Sequence, residues 1–221
     1  MELSSLAAVG YKNRQVPNTF VIQPTSTKHL GIILPGYRHS VDMADLHYAG
    51  RILLEGGADL LQVEYAYNRT DFMKQPQSEQ DKWISNDVFA ICDAALAHRS
   101  YRQITLVGKS LGTLAMGHLL AEDRFRSATC VWETPILTVE WLCSRIEQIH
   151  PRSLFVFGTA DKFYQPDILE RLVTVTNGRS VIIEGAHHGL EILDDIPKSL
   201  MALNQIVQAL QEFLSETANS A

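Results

Sequence analysis

The sequence predicts an α/β protein with a mostly parallel sheet of six or seven strands and helices on both faces. Short β-rich apolar runs alternate with segments of helical period along the chain. Strands separated by helices imply right-handed crossovers and therefore parallel pairing. The 221 residues, 46% hydrophobic and 20% charged, suit one globular core. No repeat, low-complexity run or linker divides them, so residues 1–221 are expected to form a single domain.

The strands and helices are read in order. Thr19 to Ile22 and His29 to Leu34 are apolar runs bounded by turn residues, the second ending at Pro35-Gly36. Asp42 to Gly56 is a helix, with Leu46, Ala49, Ile52 and Leu53 at helical spacing and two glycines to end it. Asp59 to Tyr65 is a strand and Asn68 to Gln80 a polar loop. A helix from Ser85 to Arg99 leads to a strand at Gln103 to Val107 and a helix at Leu111 to Glu122. Strands follow at Thr129 to Trp132, Ser153 to Phe157 and Ser180 to Ile183, with helices at Val139 to Ile149 and Pro166 to Thr174 between them. Pro197 to Leu214 closes the chain as an amphipathic helix whose seam is Leu200, Leu203, Ile206, Leu210 and Leu214.

Composition excludes several classes. A net charge of −6 with scattered basic residues argues against a nucleic-acid partner. The three cysteines, Cys92, Cys130 and Cys143, form neither a disulfide framework nor a zinc motif. No metal and no cofactor are therefore expected. Nothing approaches a membrane span or a signal peptide, and a cytoplasmic location is the expectation.

In a parallel sheet, ligand sites form beyond the carboxyl ends of the strands. Gly108-Lys109-Ser110-Leu111-Gly112 stands there, between an apolar strand and a helix. The G-x-S-x-G pattern in that context makes a sharp turn that exposes a serine hydroxyl. The same glycines also suit a plain helix-capping turn, so the partners decide. Asp161, in Gly158-Thr159-Ala160-Asp161, follows the next-but-one strand. It suits the acid that orients a histidine, or equally a turn aspartate before a helix. Glu133, at the end of its own strand, is the rival acid. His188, in Gly185-Ala186-His187-His188, follows the last strand and suits the general base. The order Ser, Asp, His, each after its own strand, favours Asp161 over Glu133. The backbone N–H groups of Leu111 and Tyr37 are the candidate oxyanion donors. A truncated phosphate loop is the poorer reading of Gly108-Lys109-Ser110, because the spacing would require glycine where Gln103 stands.

On these motifs the sequence resembles the α/β-hydrolase superfamily, over about Thr19 to Leu214. Gly108 to Gly112 is similar to its nucleophile elbow, Leu34-Pro35-Gly36-Tyr37 to its oxyanion loop, and Gly185 to Leu190 to its histidine loop, which marks His188 as the catalytic imidazole. The resemblance is to compact, lidless members such as dienelactone-hydrolase-like esterases. It implies an α/β-hydrolase fold without a cap domain, and hydrolysis of a small ester, thioester or amide through an acyl-enzyme. Leu34-Pro35 stands where many members carry His-Gly, and Lys109 is an unusual residue before the nucleophile. The rival functional reading is a degenerate hydrolase fold used for binding.

The mouth of the site is expected to include Arg38, His39, Tyr65, Arg69 and His187, with Arg38 or Arg69 available to an anionic substrate group. The expected partner is a small acyl substrate, and a homodimer is left open.

Overall fold

The structure, a computed structural model, describes residues 1–65, 67 and 70–218, the last two as backbone alone. Its sheet has eight strands: β1 (Glu2–Ser4), β2 (Asn18–Ile22), β3 (His29–Leu34), β4 (Asp59–Val63), β5 (Gln103–Lys109), β6 (Thr129–Glu133), β7 (Ser153–Gly158) and β8 (Arg179–Ile183). Their order is β1-β2-β4-β3-β5-β6-β7-β8. Strands β3 to β8 pair in parallel, and β1 and β2 add an antiparallel edge. The count exceeds the predicted six or seven because of β1. Three residues are too few to show a period, and this strand is defined only by its pairing with β2.

Six helices cover the sheet: α1 (Ala44–Glu55), α2 (Gln77–Leu96), α3 (Leu111–Leu119), α4 (Glu140–Ile149), α5 (Pro166–Thr176) and α6 (Ile196–Ala218). Side chains alternate between the faces of each strand. Leu30, Ile32 and Leu34 of β3 join the core under α2, α3, α4 and α5, while Ile33 joins the core under α1 and α6. The connection from β6 to β7 contains α4 and no inserted cap.

Most helix ends shift by a few residues, and two features depart further from the sequence reading. Helix α2 starts eight residues earlier than Ser85, at Gln77 directly after Pro76. Its first turns look polar because only Trp83 and Ile84 are buried there, and Trp83 meets Phe72 and Tyr67 edge to face. Helix α6 buries Ala202, Ile206, Leu210, Phe213 and Leu214, but Leu200 is 62% exposed. Leu200 lines the wall of a cavity instead of the core seam in which its spacing placed it.

Among the described residues, the cysteines Cys92, Cys130 and Cys143 are free and buried, and no helix is long and apolar enough to cross a membrane.

Candidate active site

Ser110 stands between β5 and α3 with φ 50° and ψ −114°. A side chain held there costs about 1–3 kcal/mol, a strain that surrounding structure must impose. Glycines on both sides permit the tight packing that imposes it. A Cβ on Gly112 would lie 1.9 Å from the Leu34 carbonyl oxygen, and one on Gly108 would lie 2.4 Å from the Met116 sulfur. The Ser110 N–H donates to the Glu133 carbonyl at 2.9 Å, and the Thr113 hydroxyl donates to the Ser110 carbonyl at 2.6 Å. The helix behind the serine also turns its positive dipole end toward the hydroxyl.

The loops after β7 and β8 are bonded to each other. Thr159 N–H donates to the Ile183 carbonyl and Ala160 N–H to the Ala186 carbonyl, both at 3.0 Å, and Gly185 N–H donates to the Thr159 hydroxyl at 2.8 Å. Within the second loop, His187 N–H donates to the Glu191 carbonyl at 2.9 Å, and Gly189 N–H donates to His187 Nδ1 at 2.8 Å. These bonds fix where Asp161 and His188 stand. His188 Nε2 lies 2.8 Å from Ser110 Oγ, and His188 Nδ1 lies 2.8 Å from Asp161 Oδ2. The Asp161 carboxylate is fully buried, and its Oδ1 accepts the Phe163 N–H at 3.0 Å. The Phe163 ring meets the His188 imidazole edge-on at 5.2 Å, which restrains the ring's rotation. Phe163 has no motif to announce it, and the sequence reading missed it.

The Gly36-Tyr37 loop lies against the serine turn, because a Cβ on Gly36 would stand 3.1 Å from Ser110 Cβ. Neither the Tyr37 nor the Leu111 N–H donates to a protein acceptor among the described residues.

Glu133 does not reach His188, whose carboxylate partner is Asp161. It belongs instead to a buried charge cluster under the nucleophile, on the α1 side of the sheet. Lys109 and Glu133 are register partners on adjacent parallel strands, so their side chains share a face. Lys109 Nζ lies 2.8 Å from Asp45 Oδ2, an ion pair that lacks the alignment of a hydrogen bond. Asp45 Oδ1 faces His39 Nε2 at 3.0 Å. Burial alone would raise the Asp45 carboxyl, but the His39 hydrogen bond and the Lys109 charge outweigh it and hold the group well below the usual carboxylate range. Burial, then the negative charge of Asp45, pushes Glu133 up to about 8 against the pull of Lys109. Sequence offered one sign of this cluster: a lysine ending a buried apolar strand demands a counter-charge.

The sign of the resulting pH effect is fixed. The unfolded Glu133 carboxyl loses its proton near 4.5, whereas the folded one keeps it to about 8. Between those values the folded state holds the extra proton, so stability falls as pH rises. Glu133→Gln, which mimics the protonated acid, is expected to flatten that decline and to gain roughly 3 kcal/mol over wild type above pH 8. Urea denaturation across pH 5 to 9 measures it. A variant as pH-sensitive as wild type contradicts the assignment.

The remaining candidates divide. His39 and His187 both line a cavity beside the serine turn. Tyr37 and Arg38 are exposed, Arg38 with φ 60° and no carboxylate partner among the described residues. Tyr65 is half-buried and stacks on Tyr67 at 4.6 Å, with its hydroxyl sealed from solvent. Arg69 lies outside the described residues.

No protein-family model matches the chain, and no curated protein matches it. Solved structures match along nearly its whole length. An esterase of Pyrococcus furiosus superposes with TM-score 0.73 at 14% identity, covering 97% of this chain and 92% of that one. A serine hydrolase without lid from Xanthomonas campestris gives 0.71 at 15% identity, with 98% and 95% covered. The protein Est1E of Butyrivibrio proteoclasticus gives 0.68 at 15% identity, with 96% and 98% covered. The chain therefore has the compact, lidless α/β-hydrolase fold.

Proposed function

We propose that the protein is a serine hydrolase that cleaves a small ester, thioester or amide through an acyl-enzyme. The observation that carries this reading is the continuous hydrogen-bonded chain Ser110 Oγ, His188 Nε2, His188 Nδ1 and Asp161 Oδ2, with both links 2.8 Å long. A hydroxyl, an imidazole and a buried carboxylate in that order form a nucleophile, its base and the group that fixes the base's tautomer. Fold-level likeness to proteins described as esterases adds to the prior but does not choose the substrate.

In this reading His188 Nε2 takes the Ser110 proton as Oγ attacks the substrate carbonyl. Nδ1–H donates to Asp161, which stabilises the imidazolium as it forms. The Tyr37 and Leu111 N–H groups donate hydrogen bonds to the oxyanion as it develops. The imidazolium then protonates the leaving group, and water, activated by the same nitrogen, releases the acyl group. Without a cap, the mouth is bounded by the short loops that carry these residues.

The test is covalent labelling. A fluorophosphonate probe is expected to modify Ser110 of the folded protein and no other serine, mapped by peptide mass spectrometry, and labelled protein is expected to lose its ester hydrolysis. Unlabelled Ser110 in folded protein supports the binding-module reading instead.

A further inference from the structure

A cavity of about 570 Å³ opens beside the nucleophile, between the start of α1, the 187–196 segment and the first turns of α6. That volume is typical of small-ligand sites. Met43, Leu190, Ile192, Leu200, Leu203 and Ile206 give it apolar walls. Several of its hydrophobic side chains are left uncovered: Leu193 is 73% exposed, Ile196 76% and Leu200 62%. The end nearest the serine is formed by His39 and His187. His187 adjoins the base, and the His39 Cβ lies 3.6 Å from the position of a Gly36 Cβ, itself 3.1 Å from Ser110 Cβ. The cavity thus adjoins the serine turn, with His39 and His187 standing between its apolar walls and Ser110. Its lining also carries Glu191, Asp194 and Asp195, the last paired with Lys198 at 2.8 Å, which leaves a net acidic edge.

Resting on the serine-hydrolase reading, we propose that this cavity receives an uncharged apolar chain of the substrate. The preferred substrates are then neutral esters or thioesters with a medium-length hydrocarbon chain. Three features converge on that class. The walls are hydrocarbon, the acidic edge repels an anionic tail, and the inner end adjoins the serine turn. His39 has a defined part in this arrangement. Asp45 holds its imidazole by Nε2, and Lys109, the residue before the nucleophile, holds Asp45. The wall between the serine and the chain is therefore anchored to the serine turn. The chain belongs to the acyl group or to the alcohol, and the test distinguishes the two.

Two ester series are compared. In one the acyl group grows from acetate to decanoate on p-nitrophenol. In the other the alcohol grows from methanol to octanol on butanoate, followed by pH-stat. In one series kcat/KM is expected to climb about fourfold per methylene until the cavity is filled, from the free energy of burying each CH₂. The p-nitrophenyl hemisuccinate is expected to be turned over more slowly than the butanoate. Leu200→Asp and Ala44→Trp, at exposed positions on the cavity wall, are expected to bring the long-to-short ratio close to one. Tyr48→Asp, on α1 but away from the cavity, is expected to preserve the ratio, and thermal melts confirm that each variant is folded. A flat profile in both series, or a climb that survives in both wall variants, overturns the chain assignment while acetate turnover by Ser110 leaves the hydrolase reading standing. No turnover of any ester, with no fluorophosphonate labelling, overturns both.

Discussion

Ser110→Ala is expected to lower kcat for a p-nitrophenyl ester by about 10⁶-fold while leaving the melting temperature within a few degrees of wild type. The size follows from the linked geometry. His188 and Asp161 act only through the serine oxygen, so removing Oγ idles all three side chains. What remains is transition-state binding by the Tyr37 and Leu111 amides, which act on a water attack that lacks an oriented nucleophile. The small stability cost follows from the strain at this position. Alanine loses a hydroxyl whose side-chain partner is the half-exposed His188, and it inherits the same φ of 50°. Retained turnover with wild-type kcat would place the chemistry elsewhere.

Lys109→Met is expected to destabilise the fold by roughly 3–5 kcal/mol, measured by urea denaturation at pH 7. Methionine fits the volume but removes the positive charge from a cluster in which the Lys109 side chain is 2% exposed and Asp45 7%. Asp45 is then a buried anion whose one remaining side-chain partner is the His39 hydrogen bond. A domain of this kind is stable by only about 5–15 kcal/mol, so the loss is a large share. Combining Lys109→Met with Asp45→Asn is expected to cost less than Lys109→Met alone, because the second change removes the charge the first one stranded. Additive losses in that cycle would mean that the two groups are not coupled.

The parallel part of the fold is legible in the sequence because each of its strands is long enough to be nearly all apolar and each is followed by a helix of clear period. The parts that escape it are those whose definition is tertiary. Strand β1 exists by pairing with β2, and the first turns of α2 exist because Trp83 packs among Phe72 and Tyr67. Leu200 carries the spacing of a core residue, yet it is 62% exposed and lines a cavity wall. At the site, Ser110, Asp161 and His188 stand out because each follows a strand in a short glycine-containing loop, and the structure brings the three within hydrogen-bonding distance. Asp45 is not legible in the same way. It opens a helix as an ordinary first-turn acid, and only the crossing of α1 over the end of β5 makes it the counter-ion of Lys109. Tyr65 follows a strand as its spacing indicates, and its ring stacks on Tyr67, a contact that residue spacing does not reveal.

Gly112 touches the Leu34 carbonyl with no room for another atom, and that contact joins the two peptide segments bearing Tyr37 and Leu111. The spacing of those two segments is consequently set there by main chain against main chain. Under the proposed mechanism, donors carried on segments braced in this way need no closing motion, and the speed limit is expected to lie in bond-making or in the departure of products.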